Sequence, residues 1–154
     1  MTDITAGVVD VYSIYPGHDG WLVLMLRRAP GTRCPGSWET VHGRIEKGEH
    51  PEHAAVRELA EETGLTPERL YNVTVQPFYL HGTHTVQLAV VFAAFVRTPI
   101  PATLGDEHQA AEWLPTEQAI ERMVWPRERS ALREIVALLG AGDAGTVEDV
   151  MRIF

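Results

Sequence analysis

The sequence is poor in cysteine, in long apolar runs and in basic leader-like segments. Cys34 is its only cysteine, so no internal disulfide can form, which fits a reducing cytoplasm. No stretch is long and apolar enough to span a membrane, and the first residues lack the basic start and apolar run of a signal peptide. We therefore predict a cytoplasmic protein with no membrane partner.

Positive charge is also scarce. The chain has 13 Lys and Arg against 21 Asp and Glu, which gives a net charge of −8. A protein that coats an extended nucleic acid needs a basic face, so we expect no such partner. There is no internal repeat or low-complexity segment, and the length suits one domain over residues 1–154. Residues 141–154 are predicted to form a small terminal helix or a tail.

The densest chemical pattern is the segment from Gly43 to Leu65, GRIEKGEHPEHAAVRELAEETGL. Its residues 51–63 favour a helix, because Ala, Leu, Glu and Arg dominate and Gly is absent. Pro51 suits the first helical position, where the missing N–H costs nothing. Gly64 suits the left-handed residue just past the end of the helix.

Three carboxylates share one face of this predicted helix. Glu58, Glu61 and Glu62 are three and four residues apart, so their like charges repel. They form either a solvated acidic face or a site for a divalent cation, and hard oxygen ligands suit Mg²⁺ or Mn²⁺. The side predicted to pack on the core consists of Val56, Leu59, Ala60 and Thr63.

The flanking residues favour the cation site. The segment fills every fixed position of GX5EX7REUXEEXGU, where U is a bulky aliphatic residue. Those positions are Gly43, Glu49, Arg57, Glu58, Leu59, Glu61, Glu62, Gly64 and Leu65. The chain therefore resembles the Nudix hydrolase family. The resemblance implies an α/β fold, the Nudix α/β/α sandwich with a mixed sheet between helices. It also implies Mg²⁺-dependent hydrolysis of a nucleoside diphosphate linked to a group X.

The resemblance also implies roles within the segment. Glu58, Glu61 and Glu62 would bind the metal, and Glu58 or Glu61 would take a proton from the attacking water. Arg57 would orient a carboxylate such as Glu49 through a charge-assisted hydrogen bond.

Two further metal ligands follow from the resemblance. The backbone carbonyl of His42, just before the first glycine, would bind metal. The run EHQAAEWLP resembles a downstream element of many Nudix hydrolases, in which a Glu before a Trp-bearing strand approaches the metals. Glu107 is the candidate for that role, and the alternative is an ordinary loop carboxylate.

Candidate substrate residues lie outside the acidic helix. Arg27 and Arg33 flank or occupy a Pro- and Gly-rich loop and would either contact a polyphosphate or be solvated surface charges. Trp38 is a core residue or a wall of a base pocket, and Glu39 is a strand surface residue or an acceptor for a base edge. Tyr79 and His81, near a predicted hairpin turn, contact substrate or are surface residues. The candidate substrate-binding residues are therefore Arg27, Arg33, Trp38, Glu39, Tyr79 and His81.

Hydrophobic patterns predict the remaining elements. Strands are predicted at 6–15, 21–27, 38–41, 69–81, 83–96 and 110–114, and helices at 115–123 and 126–139. The helix at 126–139 is predicted to pack through Leu132, Ile135, Val136 and Leu139. The strand at 83–96 is strongly apolar and is predicted to be central in the sheet.

The acidic segment indicates the reaction class but not the group X, because specificity lies in loops outside it. SWETVHGRIEKGE, EHQAAEWLP and VWPRERSALREI loosely resemble bacterial dihydroneopterin triphosphate or dATP pyrophosphohydrolases. The leading hypothesis is a nucleoside triphosphate pyrophosphohydrolase with a small-molecule nucleotide substrate. The alternatives are a nucleotide-sugar or ADP-ribose-type diphosphate hydrolase, a non-catalytic Nudix-fold binding module and a diphosphate isomerase. The resemblance also allows a homodimer.

Overall fold

The computed structural model describes residues 1–154 as one mixed sheet with helices on both faces. The strands are β1 (Asp3–Gly17), β2 (Gly20–Arg28), β3 (Trp38–Glu39), β4 (Val41–Arg44), β5 (Arg69–Leu80), β6 (Thr85–Phe95) and β7 (His108–Pro115). The helices are α1 (Pro51–Thr63), α2 (Thr116–Arg122), α3 (Pro126–Leu139) and α4 (Glu148–Met151), with a 3₁₀ turn at Gly145–Val147. The predicted α/β fold class is confirmed.

The long strand β1 organises the sheet, whose strand order is β3-β2-β1-β6-β5. Its later residues pair antiparallel with β2, its middle residues pair antiparallel with β4, and β6 runs parallel to it. β7 pairs with the other side of β2. Because β6 lies between β1 and β5, the prediction that this apolar strand is central is confirmed.

Alternation along β1 divides the core into two layers. Val11 belongs to the layer on the α1 side, where it clusters with Leu59, whereas its neighbour Tyr12 clusters with Leu132 of α3 on the other side. Successive side chains of a strand point to opposite faces, so each face of the sheet receives its own set of apolar residues. This arrangement places α1 alone on one face and α2 and α3 on the other.

Helix α1 begins at Pro51 and ends before Gly64, as predicted. Gly64 has φ 73°, and its N–H donates to the Ala60 carbonyl. The predicted buried face is wrong at Ala60, which is exposed, while Glu62 is buried. The reason is that the packed stripe runs through Ala55, Leu59 and Glu62, at i, i+4 and i+7, which rotates the helix relative to the prediction.

The prediction of a single strand at 38–41 is wrong, because the chain changes partner there. β3 pairs with β2 and β4 pairs with β1, with the break at Thr40. The Thr40 hydroxyl donates to the Val11 carbonyl, and its N–H donates to the Glu128 carboxylate over 3.4 Å. These hydrogen bonds fix Thr40 where the chain passes from β3 to β4.

Helix α3 spans the predicted residues 126–139, but its core face differs. Val136 is exposed, and Glu128 and Ala131 are buried. The buried stripe follows 128, 132, 135 and 139, so Val136 lies at its edge.

The C-terminal segment is ordered by contacts with β5. After α4, the N–H of Ile153 donates to the Leu70 carbonyl over 2.8 Å, and the N–H of Leu70 donates to the Phe154 carbonyl over 3.0 Å. The segment predicted as a terminal helix or a tail contains the 3₁₀ turn and α4. None of the helices combines the length and the hydrophobicity needed to cross a membrane.

The buried Glu128 gives a testable pH dependence of stability. Burial, and then the charge of Asp10, raise the pKa of Glu128 well above its ordinary value. A raised carboxyl pKa contributes stability that is complete below the unfolded-state pKa, about 4.3, and is lost as pH rises through the folded-state pKa. We expect Glu128→Gln to have a higher Tm than wild type, by a margin that widens from pH 5 to pH 8 in thermal denaturation. The exposed Glu134→Gln is the control, and a margin that does not change with pH would contradict this assignment.

Candidate active site

Helix α1 and the loop before β7 enclose a small acidic cleft. Glu58, Glu61 and Glu62 line it from α1, and Glu107 lines it from the loop. The cleft has a volume of about 210 Å³. The one-face spacing predicted for the three α1 carboxylates thus brings them to a common space, together with the fourth predicted carboxylate.

Arg57 ties the acidic segment together. Its Nε and Nη2 donate to the two carboxylate oxygens of Glu49 over 2.8 and 2.9 Å. Its Nη1 donates to Glu58 over 2.8 Å and to Glu61 over 3.3 Å. The hydrogen bond from Arg57 is the largest cause that lowers the pKa of Glu49 to about 2. The loop before α1 and two carboxylates of the helix are therefore held by one guanidinium.

Gly43 makes room for Glu58. A Cβ placed on Gly43 would lie 2.0 Å from the Glu58 Cδ, which is far inside van der Waals contact. Any larger residue at this position of β4 must displace the Glu58 side chain. The glycine is therefore required by close approach and not by a turn.

Glu62 is a buried carboxylate with one oxygen that lacks a hydrogen-bond partner. Its side chain is 11% exposed, and its Oε2 has no hydrogen-bond donor. Burial, followed by the charges of Glu58, Glu39 and Glu107, raises the pKa of Glu62 to about 9. Burial also raises the pKa of Glu58, although Arg57 opposes this. An added cation would relieve both effects, because it would compensate the buried negative charge.

The donor set fits a hard divalent cation. No three His, Cys, Asp or Glu side chains converge at ligand distance, and Arg57 donates to oxygens of Glu58 and Glu61. However, the side chain of Glu61 is 59% exposed, and the Oε2 of Glu62 is buried without a hydrogen-bond partner. Clustered carboxylate oxygens are the ligands that Mg²⁺ takes in proteins.

A larger cavity adjoins the acidic cleft. It has a volume of about 780 Å³ and shares Glu58, Glu62 and Glu107 with the cleft. Its remaining polar and aromatic lining includes Arg28, Arg33, Arg44, Arg127, Glu39, His42, Phe78, Tyr79 and Trp125. One continuous space therefore presents carboxylates at one wall and guanidinium groups and aromatic rings elsewhere.

Glu39 is committed to two neighbours within this cavity. Its Oε1 accepts from Arg28 Nη1 over 2.9 Å and lies 2.9 Å from His108 Nε2. Burial opposes the charge of Glu39, but the hydrogen bonds from His108 and then Arg28 bring its pKa below the ordinary value. The other ring nitrogen of His108 is unpartnered and lies 4.0 Å from Glu62 Oε2. Arg28, Glu39 and His108 thus form a row of polar side chains between the arginine wall and the acidic cleft.

The structure separates the predicted substrate residues into two groups. Arg33, Glu39 and Tyr79 line the larger cavity, as does His42, which was predicted as a metal ligand. Arg27, Trp38 and His81 lie outside the lining of both cavities. Trp38 packs against the α3-side core, and the Cζ of Arg122 lies 4.8 Å from its ring centroid. Of the two places predicted for Trp38, it occupies the one in the core. The roles of all these residues remain predictions.

Sequence reasoning missed several residues that shape the site, among them Asp10, Phe78, His108 and Arg127. Asp10 is buried, its Oδ1 lies 2.6 Å from His42 Nδ1, and its Oδ2 accepts from Arg127. One signal was readable in the sequence. Arg127 occupies the first turn of α3, where the helix dipole disfavours a cation, so another contact must hold it there.

The chain is similar to known proteins in sequence and in fold. A family model described as NUDIX domain matches residues 5–135. The curated Octanoyltransferase of Myxococcus xanthus is 36% identical over 117 residues, which are 75% of this chain and 32% of that protein. The chain thus spans about a third of that relative. The CTP pyrophosphohydrolase of Escherichia coli K12 is 27% identical over 146 residues, 94% of this chain and 98% of that protein.

The solved structures agree on the fold. The E. coli dihydroneopterin triphosphate pyrophosphohydrolase matches with a TM-score of 0.69 and 24% identity, and the match covers 84% of this chain and 94% of that chain. The family match covers most of the sequence, including the whole acidic segment from Gly43 to Leu65. The chain therefore belongs to the Nudix hydrolases, enzymes that act on acid anhydrides in phosphorus-containing substrates.

Proposed function

We propose that this protein is a Mg²⁺-dependent nucleoside triphosphate pyrophosphohydrolase. The observation that carries the proposal is the wall shared by the acidic cleft and the larger cavity, formed by Glu58, Glu62 and Glu107. A polyphosphate that lies across this wall has a cation site beneath it and arginines around it. The 780 Å³ of the larger cavity is within the range of small-ligand sites, about 300–1,000 Å³.

The proposed metal ligands are the carboxylates of Glu58, Glu61, Glu62 and Glu107 and the backbone carbonyl of His42. Bound Mg²⁺ supplies positive charge that neutralises the phosphates and polarises the P–O bonds. This neutralisation is the dominant requirement, since two unit charges about 4 Å apart interact by about 4 kcal/mol at an intermediate dielectric. Mn²⁺ is proposed as a substitute because it accepts the same oxygen ligands.

The protein's own residues orient the reactants. Arg28, Arg33 and Arg44 line the cavity and would hold phosphate oxygens, which match the fork of a guanidinium. Glu58 or Glu61 would accept the proton of the water that attacks phosphorus. The P–O bond to the leaving group then breaks, and pyrophosphate leaves the nucleoside monophosphate.

A nucleotide panel tests this proposal. NTPs, dNTPs, sugar nucleotides and dinucleotides are incubated with Mg²⁺ or with EDTA, and the products are identified. We expect nucleoside monophosphate and pyrophosphate from triphosphates with Mg²⁺, and no turnover with EDTA. Turnover of sugar nucleotides alone would support the nucleotide-sugar alternative. Binding without turnover of any compound would support a non-catalytic module.

Arg57→Lys should weaken catalysis without unfolding the protein. Lysine keeps the charge but cannot donate to Glu49, Glu58 and Glu61 at once, so the carboxylates lose their common support. Residues that orient metal ligands typically contribute about 10–100-fold, and we expect kcat to fall by about this factor. The exposed Arg133→Lys on α3 is the control. An unchanged kcat would show that the hydrogen bonds of Arg57 to these carboxylates have no part in the reaction.

The setting of the protein is also a proposal. We propose that the protein is cytoplasmic, because its single cysteine fits a reducing compartment. The homodimer is proposed from the family resemblance alone.

A further inference from the structure

We infer that Arg127 selects the nucleobase, favouring guanine and cytosine over adenine and uracil. The inference rests on the proposed function, which places the phosphates at the carboxylate wall of the 780 Å³ cavity. Arg127 lines the same cavity with Phe78 and Trp125, so the nucleoside has these three side chains available beyond its phosphates.

The guanidinium of Arg127 is held on two sides. Its Nη1 donates to Asp10 Oδ2, and its Cζ lies 4.4 Å from the Phe78 ring centroid, within cation–π distance. No other protein acceptor engages its N–H groups, although the side chain is only 15% exposed. Arginine–carboxylate pairs are frequently bidentate, but this pair uses one N–H group of Arg127. The other oxygen of Asp10, Oδ1, is within hydrogen-bond distance of His42. The remaining N–H groups of Arg127 have no protein acceptor.

The surroundings keep this orientation rigid. The side chain of Asp10 is 1% exposed and lies 2.6 Å from His42 Nδ1, so its position is fixed by β4 as well as by Arg127. The Tyr12 hydroxyl donates to the Glu128 carbonyl over 3.0 Å and ties the first turn of α3 to β1. Burial opposes the charge of Arg127, but Asp10 leaves its pKa above the ordinary value, so the group stays a cationic donor. A preorganised donor edge loses little entropy when it binds.

Such an edge requires two adjacent acceptors on the base. A guanidinium only donates, and its parallel N–H groups match a pair of neighbouring acceptor atoms. Guanine offers O6 and N7, and cytosine offers O2 and N3. Adenine places its N6 amino donor next to N7 and N1, and uracil places N3–H between its two oxygens. One bidentate contact of this kind discriminates by about 5–150-fold.

Equilibrium binding of the reaction products tests the inference independently of turnover. GMP, CMP, AMP and UMP are titrated into the full chain by calorimetry at fixed Mg²⁺. We expect Kd for GMP and CMP to be at least about fivefold lower than for AMP and UMP. In Arg127→Lys, which keeps a cation beside Asp10 but has no fork, we expect the four Kd values to converge. The exposed Arg133→Lys should retain the wild-type preference.

A second variant tests the inference if Arg127→Lys fails to fold. If Arg127→Lys does not fold by circular dichroism, the double variant Asp10→Asn with Arg127→Met removes both charges together, so no unpaired charge is buried. The same convergence is expected there. Equal wild-type affinities, no binding of any monophosphate, or a preference that survives loss of the fork would each overturn the inference. Absence of hydrolysis with an intact binding preference would instead overturn the proposed function alone.

Discussion

Glu61→Gln is expected to lower kcat about a hundredfold or more while the protein stays folded. The substitution removes one negative charge from the cleft that Glu61 shares with Glu58 and Glu62. If Glu61 is the base, loss of proton transfer alone accounts for about 10²–10⁴-fold. The side chain is largely exposed and accepts only one hydrogen bond, from Arg57, so the fold does not depend on it.

Steady-state hydrolysis of a nucleoside triphosphate with saturating Mg²⁺ measures this effect, and circular dichroism confirms folding. Glu121→Gln is the matched control, because Glu121 is an exposed carboxylate on α2 that lines neither cavity. Near wild-type turnover of Glu61→Gln would remove the site assignment.

Gly43→Ala is expected to lower kcat to a similar extent. The new Cβ would meet the Glu58 Cδ at 2.0 Å, and because Glu58 is a flexible side chain, it is this side chain that must move. A misplacement of about 1 Å at a reacting group can cost about a hundredfold in rate. The fold should survive, since the three nearest atoms all belong to the flexible side chain of Glu58.

Gly82→Ala is the control for this prediction. Gly82 lies in the turn between β5 and β6, and a Cβ there meets nothing within 4 Å. If displacement of Glu58 is the cause, Gly43→Ala combined with Glu58→Ala should be no slower than Glu58→Ala alone, because the two changes act on one group. Additive losses would point to a different role for Gly43.

The acidic segment is where sequence reasoning was most successful, and the reason is that its interactions are local. The bounds of α1, the left-handed Gly64 and the common face of the three carboxylates all depend on spacing within one helix. What local spacing could not give is the depth of each carboxylate. Glu62 is buried because the packed stripe of α1 passes through it, which depends on how the helix rests on the sheet.

The larger cavity was predicted less well because its walls come from distant parts of the chain. Asp10 and Arg127 are 117 residues apart and meet only because α3 packs its first turn against β1. Trp38 illustrates an alternative that position in the sequence alone left open. Its place beside the acidic segment left a pocket role open besides the favoured core role, and the alternation of β3 turns it towards the α3-side core.

The most direct test of the central claim is anomalous scattering from crystals grown with Mn²⁺. We expect a manganese peak in the cleft of α1, about 2.1–2.3 Å from carboxylate oxygens of Glu58, Glu61 or Glu62. The peak should be absent from crystals of a variant in which all three are Gln. A manganese peak elsewhere, with an empty cleft under conditions that support hydrolysis, would contradict the proposed site.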